Sequence, residues 1–521
     1  MSRRILRPND TCAAVFRATR GGLLVDGRDY YRALYHAAAG AREHVLFAGW
    51  QFDTRVALLR GADAAGARHP VEFLAFLNAL CEARPGLQVY ILAWDHSLLF
   101  SLEREPLALF KLRNHPRVQL CADDVHPLGA SHHQKFVVVD RTVAFVGSID
   151  VCCHRWDDRR HDVANELRAD SLTGEYPPYH DVQAHVDGPA VDALTEWFCA
   201  RWQRVCGAPP ALGRPPRRRV ALPASVPIRV PRVGLARTIP GASEGPTDAV
   251  HEHRNLLLAA IAAARRCIYV ENQYLSSEAV FLALLRRFAR GPRLDVVFML
   301  PQRTHALKER VAIGIRQDHL LDALAAAAVR GGHRFGTYCS VAPATGSTPA
   351  AQVYIHSKLF VVDDRFLLVT SANTTNRSMG LDTELGLAWE ADAASPSIRR
   401  ARVGLLAEHS GLAGEEARRL FAPLTGLVRR LDALVAGGRS RLRRHPREEG
   451  AGRGDLLGKL LPDDIAVDPG SPIEEVLGRA QEADESEPLI ARLTRAWQRI
   501  KAGLDPGHER LAKAEGEGRG R

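Results

Sequence analysis

Two stretches of the sequence repeat one pattern: SHHQKFVVVD at residues 131–140 and YIHSKLFVVDD at residues 354–364. Each contains a histidine, one spacer residue, a lysine, four apolar residues and an aspartate. The two histidines, His133 and His356, are 223 positions apart, and so are the lysines and the aspartates. At 521 residues the chain is too long for one ordinary core, so the repeat predicts two related halves.

The segments around the repeat also correspond between the halves. HVLFAGW at 44–50 aligns with CIYVENQ at 267–273, and each follows a helix-like segment. LQVYILAWD at 87–95 and LDVVFMLPQ at 294–302 form a further pair. The order helix, strand, helix, strand, strand predicts an α/β fold of two duplicated lobes, each a mixed β-sheet flanked by helices, with one active site between them.

Changes in composition predict four regions. Residues 1–206 and 233–430 are the two lobes, and each carries one copy of the repeat. Residues 207–232 are rich in proline and arginine, which is typical of a linker. Residues 431–521 are basic, punctuated by glycine and of low complexity at the end, so we expect a partly disordered tail.

The overall composition, with 46% hydrophobic and 25% charged residues, is that of a globular protein. There is no long apolar run, so the sequence predicts no signal peptide, no transmembrane segment, and a location that is cytoplasmic or peripheral to a membrane. The nine cysteines form no CxxC pair, and we expect reduced thiols. The net charge of +10 favours an anionic partner such as phospholipid, nucleic acid or a phosphorylated metabolite.

The repeated stretch carries residues suited to chemistry. If each copy is a strand, His133 and Lys135 share one face, because side chains two residues apart in a strand point the same way. His356 and Lys358 repeat this arrangement. Each half therefore offers an imidazole and an ammonium group on one surface, and facing surfaces would form a pocket.

The residues that follow each repeat predict a β-hairpin. Asp140 and Asp363 belong to the repeated motif but fall at the turn, so we assign them a structural role at the strand end, away from the reacting group. The returning strands would place small or polar residues beside the histidines and lysines: Gly147, Ser148 and Asp150 in the first half, and Thr370, Ser371 and Asn373 in the second.

Two imidazoles and two lysines suit the cleavage of a phosphodiester. The lysines neutralise the phosphate charge, one neutral imidazole attacks phosphorus, and the other imidazole protonates the leaving oxygen. A carboxylate behind each imidazole would fix its orientation. We expect Glu384 to serve His356 and Asp157 to serve His133.

No metal or cofactor is predicted. His132 and His133 with Cys152 and Cys153 do not form a tetrahedral set with the usual spacing. The sequence also contains no GxxxxGK[ST] loop, which disfavours nucleotide hydrolysis by that route.

Further candidates lie where an apolar strand ends. Polar residues at the carboxyl end of a strand often bind ligands in α/β proteins, so we expect a pocket wall formed by Glu271, Asn272, Gln273 and Tyr274. A capped strand end with a buried tyrosine is the alternative. Trp156 is a candidate for the entrance of an acyl chain, with a place in the core as the alternative.

The duplicated HxKxxxxD motif resembles the signature of the phospholipase D superfamily, over about residues 20–420. VAFVGSIDVCCHRWDD at 143–158 and IYVENQYL at 268–275 resemble phospholipase D enzymes proper, although Thr370 replaces the usual glycine. The resemblance implies metal-independent cleavage of phospholipids through a phosphohistidine, with His133 as nucleophile and His356 as acid.

The expected function is therefore that of a phospholipase D-like phosphodiesterase, which converts glycerophospholipids such as phosphatidylcholine to phosphatidic acid or, with an alcohol, exchanges the headgroup. The expected partner is a phospholipid membrane surface, and one chain suffices because it holds both motifs. A phosphatidyl transferase of the cardiolipin synthase kind is the first alternative. A nuclease or nucleic-acid-binding protein is the second, and we expect no nucleic acid because no aromatic-rich basic stripe is present.

Overall fold

The structure, a computed structural model, describes residues 4–17, 20–95, 113–127, 129–171, 173–214, 220, 222–223, 225–241, 249–303, 315–446 and 468. The strands, numbered along the chain, are β1 (Ala14–Arg17), β2 (Gly21–Val25), β3 (His44–Gly49), β4 (Gln88–Trp94), β5 (Val118–Asp123), β6 (Phe136–Val139), β7 (Val143–Gly147), β8 (Ala169–Asp170), β9 (Gly174–Glu175), β10 (Tyr179–His180), β11 (Val182–Val186), β12 (Val226–Pro227), β13 (Arg232–Ile239), β14 (Val250–His251), β15 (Cys267–Glu271), β16 (Asp295–Met299), β17 (Arg334–Ala342), β18 (Ala351–Ile355), β19 (Leu359–Val362), β20 (Phe366–Thr370), β21 (Glu384–Glu390) and β22 (Leu442–Arg444). The helices are α1 (Asp26–Ala39), α2 (Gly61–Ala65), α3 (Phe73–Ala83), α4 (Pro189–Cys206), α5 (Glu252–Ala263), α6 (Glu278–Phe288), α7 (Ile315–Arg330), α8 (Asn376–Gly380), α9 (Pro396–Ser410), α10 (Gly414–Phe421) and α11 (Leu427–Ala436).

The strands form two large mixed sheets, which confirms the predicted α/β class. The first sheet has the order β12-β2-β11-β7-β6-β3-β4-β5, and the second has the order β1-β13-β21-β20-β19-β15-β16-β17-β18-β10, with β14 beside β13 and β22 beside β17. Strands β3, β4 and β5 run parallel in the first sheet, as β15, β16 and β17 do in the second. β3, β15 and β16 are buried on both faces, which explains their largely apolar sequences.

The two halves of the chain interlock. β1 and β10 come from the N-terminal half but pair with β13 and β18 of the second sheet. The largest buried apolar cluster also joins the sheets, because it includes Leu46 and Val138 of the first sheet, Tyr269 and Val361 of the second, and Phe198 of α4. α1 and α3 cover the outer face of the first sheet, and α5, α6 and α7 that of the second.

Regular elements lie within or across the boundaries proposed from composition. Within the segment 207–232, β12 pairs with β2 of the first sheet. Residue 430 lies inside α11, and β22 pairs with β17 of the second sheet. Residues 447–467 and 469–521, where we expect disorder, lie outside the described residues.

Both predicted hairpins are confirmed. β6 pairs antiparallel with β7, and β19 with β20. Each turn begins with an aspartate at positive φ, 51° for Asp140 and 53° for Asp363, a conformation that aspartate tolerates better than most residues. The Asp140 carboxylate accepts hydrogen bonds from the backbone N–H groups of residues 42, 43 and 44 at 2.8–3.0 Å, and Asp363 does the same for residues 265, 266 and 267. Both aspartates therefore tie a hairpin to the start of the neighbouring strand, the structural role expected.

The expectation that the histidines and lysines lie within strands is wrong. β6 begins at Phe136 and β19 at Leu359, so the histidine and lysine pairs precede the strands in irregular segments. The reason is contact between the halves: the His133 N–H donates to the Thr383 carbonyl at 3.0 Å, and the His356 N–H donates to the His180 carbonyl at 2.8 Å.

The expectation of nine reduced thiols is also wrong, because Cys121 of β5 and Cys206 at the end of α4 form a disulfide. α4 packs across β7, β6, β3 and β5 of the first sheet and brings these residues together from a separation of 85 positions. Within the described part of the chain, none of the helices has both the length and the apolar character needed to cross a membrane.

Candidate active site

The two repeated histidines each rest on a buried carboxylate from the opposite half of the chain. His133 Nδ1 lies 3.0 Å from the Glu384 carboxylate, and His356 Nδ1 lies 2.7 Å from that of Asp181. Both carboxylates are fully buried. When a carboxylate accepts the Nδ1 proton, Nε2 is the nitrogen left for chemistry, so both rings are oriented for reaction through Nε2.

This pairing corrects two predictions. Glu384 serves His133, not His356, because the irregular segment before β6 lies against the start of β21. Asp157 is not at either imidazole of the repeat; its carboxylate instead binds His161 and Arg168. Asp181 was missed.

A sequence signal for Asp181 exists. Asp181 and Glu384 occupy similar places, because Asp181 directly precedes β11 and Glu384 is the first residue of β21. Each carboxylate also accepts a hydrogen bond from the serine that follows a hairpin. Ser371 Oγ donates to Glu384 at 2.5 Å, and Ser148 Oγ donates to Asp181. The spacing from serine to carboxylate differs between the halves, which hides the correspondence in a fixed-offset comparison.

The repeated lysines are buried beside the histidines. Lys135 Nζ donates to the His133 carbonyl at 3.0 Å and lies 3.3 Å from the Asp150 carboxylate. Lys358 Nζ donates to the His356 carbonyl at 2.7 Å. The predicted residues Lys135, Lys358 and Asp150 are thus brought together with the imidazoles. Asn373, the counterpart of Asp150, has a buried Oδ1 without a hydrogen-bond partner among the described residues.

Burial and charge set the protonation of the site. Burial, with the charge of Lys135, lowers the pKa of Lys358 to about 7 although Asp181 acts in the opposite direction. Burial and the charge of Lys358 lower the pKa of His356 well below its ordinary value. Burial alone would raise the pKa of Glu384, but the charge of His133 and its hydrogen bond outweigh burial and bring that pKa to about 2. Burial also opposes ionisation of Asp181, but the charge and hydrogen bond of His356 outweigh it and lower that pKa, so both carboxylates are ionised at neutral pH.

The residues expected to form a pocket wall lie in the interior. Glu271 is fully buried and accepts from His180, Ser357 and other groups, while Asn272 holds the Thr374 N–H. The other members are enclosed as well: Gln273 and Tyr274, which share a hydrogen bond, and Trp156, which is 1% exposed beneath Arg60. Their burial fits the alternatives, a capped strand end with a buried tyrosine and a tryptophan in the core, because Ser357 and His409 of α9 cover the strand end.

A buried ionic cluster lies beneath the site. Asp26, His161, His180 and Glu408 each contribute one ligand atom, and these atoms lie within 4.8 Å of one another. His180 Nδ1 is 3.0 Å from Asp26 and 2.9 Å from Glu408. These groups pair with one another as ions, and they are also of the types that could hold a metal ion.

Each half of the chain matches one family model. Residues 37–213 match the model described as phospholipase D, and residues 257–401 match that described as cardiolipin synthase, PLD-like domain. Together they cover both copies of the repeated motif.

Relatives at low identity carry related names. Phospholipase D A of Dictyostelium discoideum is 25% identical over 411 residues, which are 68% of this chain and 32% of that protein. Phospholipase D alpha 1 of Ricinus communis is 22% identical over 533 residues, which are 76% of this chain and 65% of that protein. The chain thus spans less than two thirds of either relative.

A solved structure shares the fold. The phosphatidylserine synthase of Haemophilus influenzae Rd KW20 superposes with a TM-score of 0.50 over 82% of this chain and 96% of that one. The sequence identity is 11%, so the likeness concerns the fold alone.

Proposed function

The chain belongs to the phospholipase D superfamily of phosphodiesterases, and on this premise we propose that it is a phospholipase D acting on glycerophospholipids. Water as acceptor would give phosphatidic acid and the free headgroup, and an alcohol would give headgroup exchange. The observation that carries the proposal is the pair of imidazoles, each with its Nδ1 on a buried carboxylate and with a buried lysine beside it.

The first step forms a bond from His133 Nε2 to phosphorus and breaks the bond from phosphorus to the headgroup oxygen. His356 gives its Nε2 proton to that oxygen, so the headgroup leaves as a neutral alcohol. In the second step water attacks phosphorus, His356 takes the proton, and the bond from phosphorus to nitrogen breaks. The assignment of His133 as nucleophile follows the family.

The substrate itself prepares His356 for the role of acid. In the empty site, burial and the charge of Lys358 keep the pKa of His356 low. A phosphodiester anion between the lysines opposes that charge and favours the protonated imidazole. The bound substrate and the proton on His356 therefore stabilise each other.

A phosphatidyl transferase is the second candidate, favoured by the match of residues 257–401 to the cardiolipin synthase, PLD-like domain. It would form the same intermediate and pass the phosphatidyl group to an alcohol on glycerol or on another lipid. For either reaction we propose that the protein meets its substrate at a membrane surface, because the substrate is a bilayer lipid.

The test is incubation of the pure protein with phosphatidylcholine vesicles and a little ethanol, in the presence of a chelator, followed by lipid analysis. Phosphatidylethanol formed by wild type and not by Lys358→Ala supports the phospholipase. Product only when glycerol or phosphatidylglycerol replaces ethanol supports the transferase. No product with any of these acceptors, or with other phospholipids, would refute both.

A further inference from the structure

Arg155 and His356 both lie against the ring of Tyr179. Arg155 follows β7 in the chain, and its guanidinium carbon lies 5.2 Å from the centre of the Tyr179 ring. The Tyr179 ring centre is in turn 5.5 Å from that of His356. One tyrosine ring thus links the guanidinium of the first half of the chain to the imidazole of His356 in the second half.

The Arg155 guanidinium has unused donors. Its Nη1 donates to the His154 carbonyl at 3.4 Å, and its buried Nε has no hydrogen-bond partner among the described residues. Other interior arginines are paired: Arg168 lies 3.0 Å from Asp157, and Arg402 lies 2.6 Å from Asp364. Among the described residues Arg155 has no such carboxylate in ion-pairing contact, although the charge of Asp150 acts on it, so its remaining donors are available to a bound anion.

The charge of Arg155 acts on the reacting groups. It contributes, after burial and nearer charges, to the lowered pKa of both His356 and Lys358. This places the guanidinium within electrostatic reach of the groups that would handle the phosphodiester. An anion bound at Arg155 would also relieve the repulsion among these cations.

We propose that Arg155 is a third cationic substrate-binding residue, whose free N–H groups donate to an anionic oxygen of the bound phospholipid. The inference rests on the proposed function and adds a contact that the repeated motif does not contain. The anionic oxygen has two possible sources: the phosphodiester that reacts, or a charged group on the headgroup, such as the carboxylate of phosphatidylserine. A guanidinium suits both because its planar fork matches two oxygens.

The experiment compares wild type, Arg155→Gln and Arg444→Gln on phosphatidylcholine and phosphatidylserine in mixed micelles. Arg444 is the matched control, since it also lies over a tyrosine ring, that of Tyr338, but pairs with Asp432. We expect Arg155→Gln to lower kcat/KM by 30-fold or more with a Tm within about 3 °C of wild type, and the control to stay within twofold. Equal losses on both lipids identify the phosphodiester, and a loss confined to phosphatidylserine identifies the headgroup.

Binding of inorganic phosphate separates this inference from the proposed function. If wild type cleaves no phospholipid with any acceptor, the proposed function fails, while weaker phosphate binding by Arg155→Gln in calorimetry, by tenfold or more, still supports an anion site. Unchanged phosphate affinity together with unchanged kinetics would overturn the inference.

If Arg155→Gln fails to fold, phenylglyoxal labelling of wild type decides. Protection of Arg155 by phosphate, without protection of Arg444, supports the anion site. Equal labelling of Arg155 with and without phosphate overturns it.

Discussion

Replacing Glu384 with glutamine is expected to slow formation of the phosphorylated intermediate by about two orders of magnitude. As His133 Nε2 attacks phosphorus, the ring acquires positive charge, and its Nδ1 proton faces the Glu384 carboxylate 3.0 Å away. A fully buried carboxylate stabilises that charge, whereas a neutral amide does so far less.

The magnitude follows from the carboxyl group itself. Its pKa falls from 4.5 to about 2, mainly because the charge and hydrogen bond of His133 outweigh the opposing effect of burial. At about 1.4 kcal/mol per pH unit, this interval of about 2.5 units corresponds to roughly 3.5 kcal/mol, or a factor of about 300 in rate. The hydrogen bonds from Ser371 and Ser378 account for part of this interval, so we expect a loss of about 100-fold.

The assay is a rapid-quench burst with a phosphatidyl ester of p-nitrophenol, a leaving group that needs no proton. Glu384→Gln should slow the burst about 100-fold. Asp181→Asn, which perturbs His356, should slow this burst less than about fivefold but slow phosphatidylcholine turnover about 100-fold. Glu390→Gln is the control, because Glu390 is a buried carboxylate at the other end of β21 that pairs with Arg365.

A burst that Glu384→Gln leaves within threefold of wild type, while Asp181→Asn slows it 100-fold, would reverse the roles of the two histidines. If neither variant changes the burst or the turnover of phosphatidylcholine, the carboxylates do not support the imidazoles, and the reasoning is refuted.

Four further predictions concern pH and stability. The pKa of Lys358 is about 7, and its protonated form binds phosphate, so kcat/KM should fall as pH rises above about 7. In a pH–rate profile, Lys358→Arg should shift this decline to higher pH. A flat profile for wild type would contradict this. In the unfolded chain Lys358 keeps its proton up to about pH 10.5, whereas in the folded protein it loses the proton above about pH 7. This group therefore makes the free energy of unfolding rise with pH between about 7 and 10.5. Urea titrations of Lys358→Met should lack this rise. Asp363→Asn should lower the free energy of unfolding by about 2–3 kcal/mol, as should Asp140→Asn, with kcat per folded molecule retained; a loss of activity without a loss of stability would speak against the structural role. Cys121→Ser should lower the free energy of unfolding by up to about 4 kcal/mol. Dithiothreitol should lower it by the same amount in wild type and leave the variant unchanged. Free thiols at both Cys121 and Cys206 in non-reducing mass spectrometry would rule the disulfide out.

Local features of the sequence predicted the hairpins and the structural role of their aspartates. The apolar runs of β6 and β19, each followed by an aspartate and a returning apolar run, specify a turn within a dozen residues. The candidate reacting groups could also be identified from the sequence, because the repeated histidine and lysine form the same pattern wherever the fold places them.

The sequence by itself determined the α/β class, the duplication, the hairpins and the histidine and lysine pairs, since these depend on neighbours along the chain. The tertiary structure alone decided which carboxylate supports which imidazole, because the partners lie 251 positions apart for His133 and Glu384 and 175 for His356 and Asp181. It also decided the Cys121–Cys206 disulfide and the place of Arg155 beside Tyr179. All of these contacts join segments that are distant in the sequence. Hydrophobic periodicity and secondary-structure propensity are local properties, so they do not specify which distant segments pack against each other.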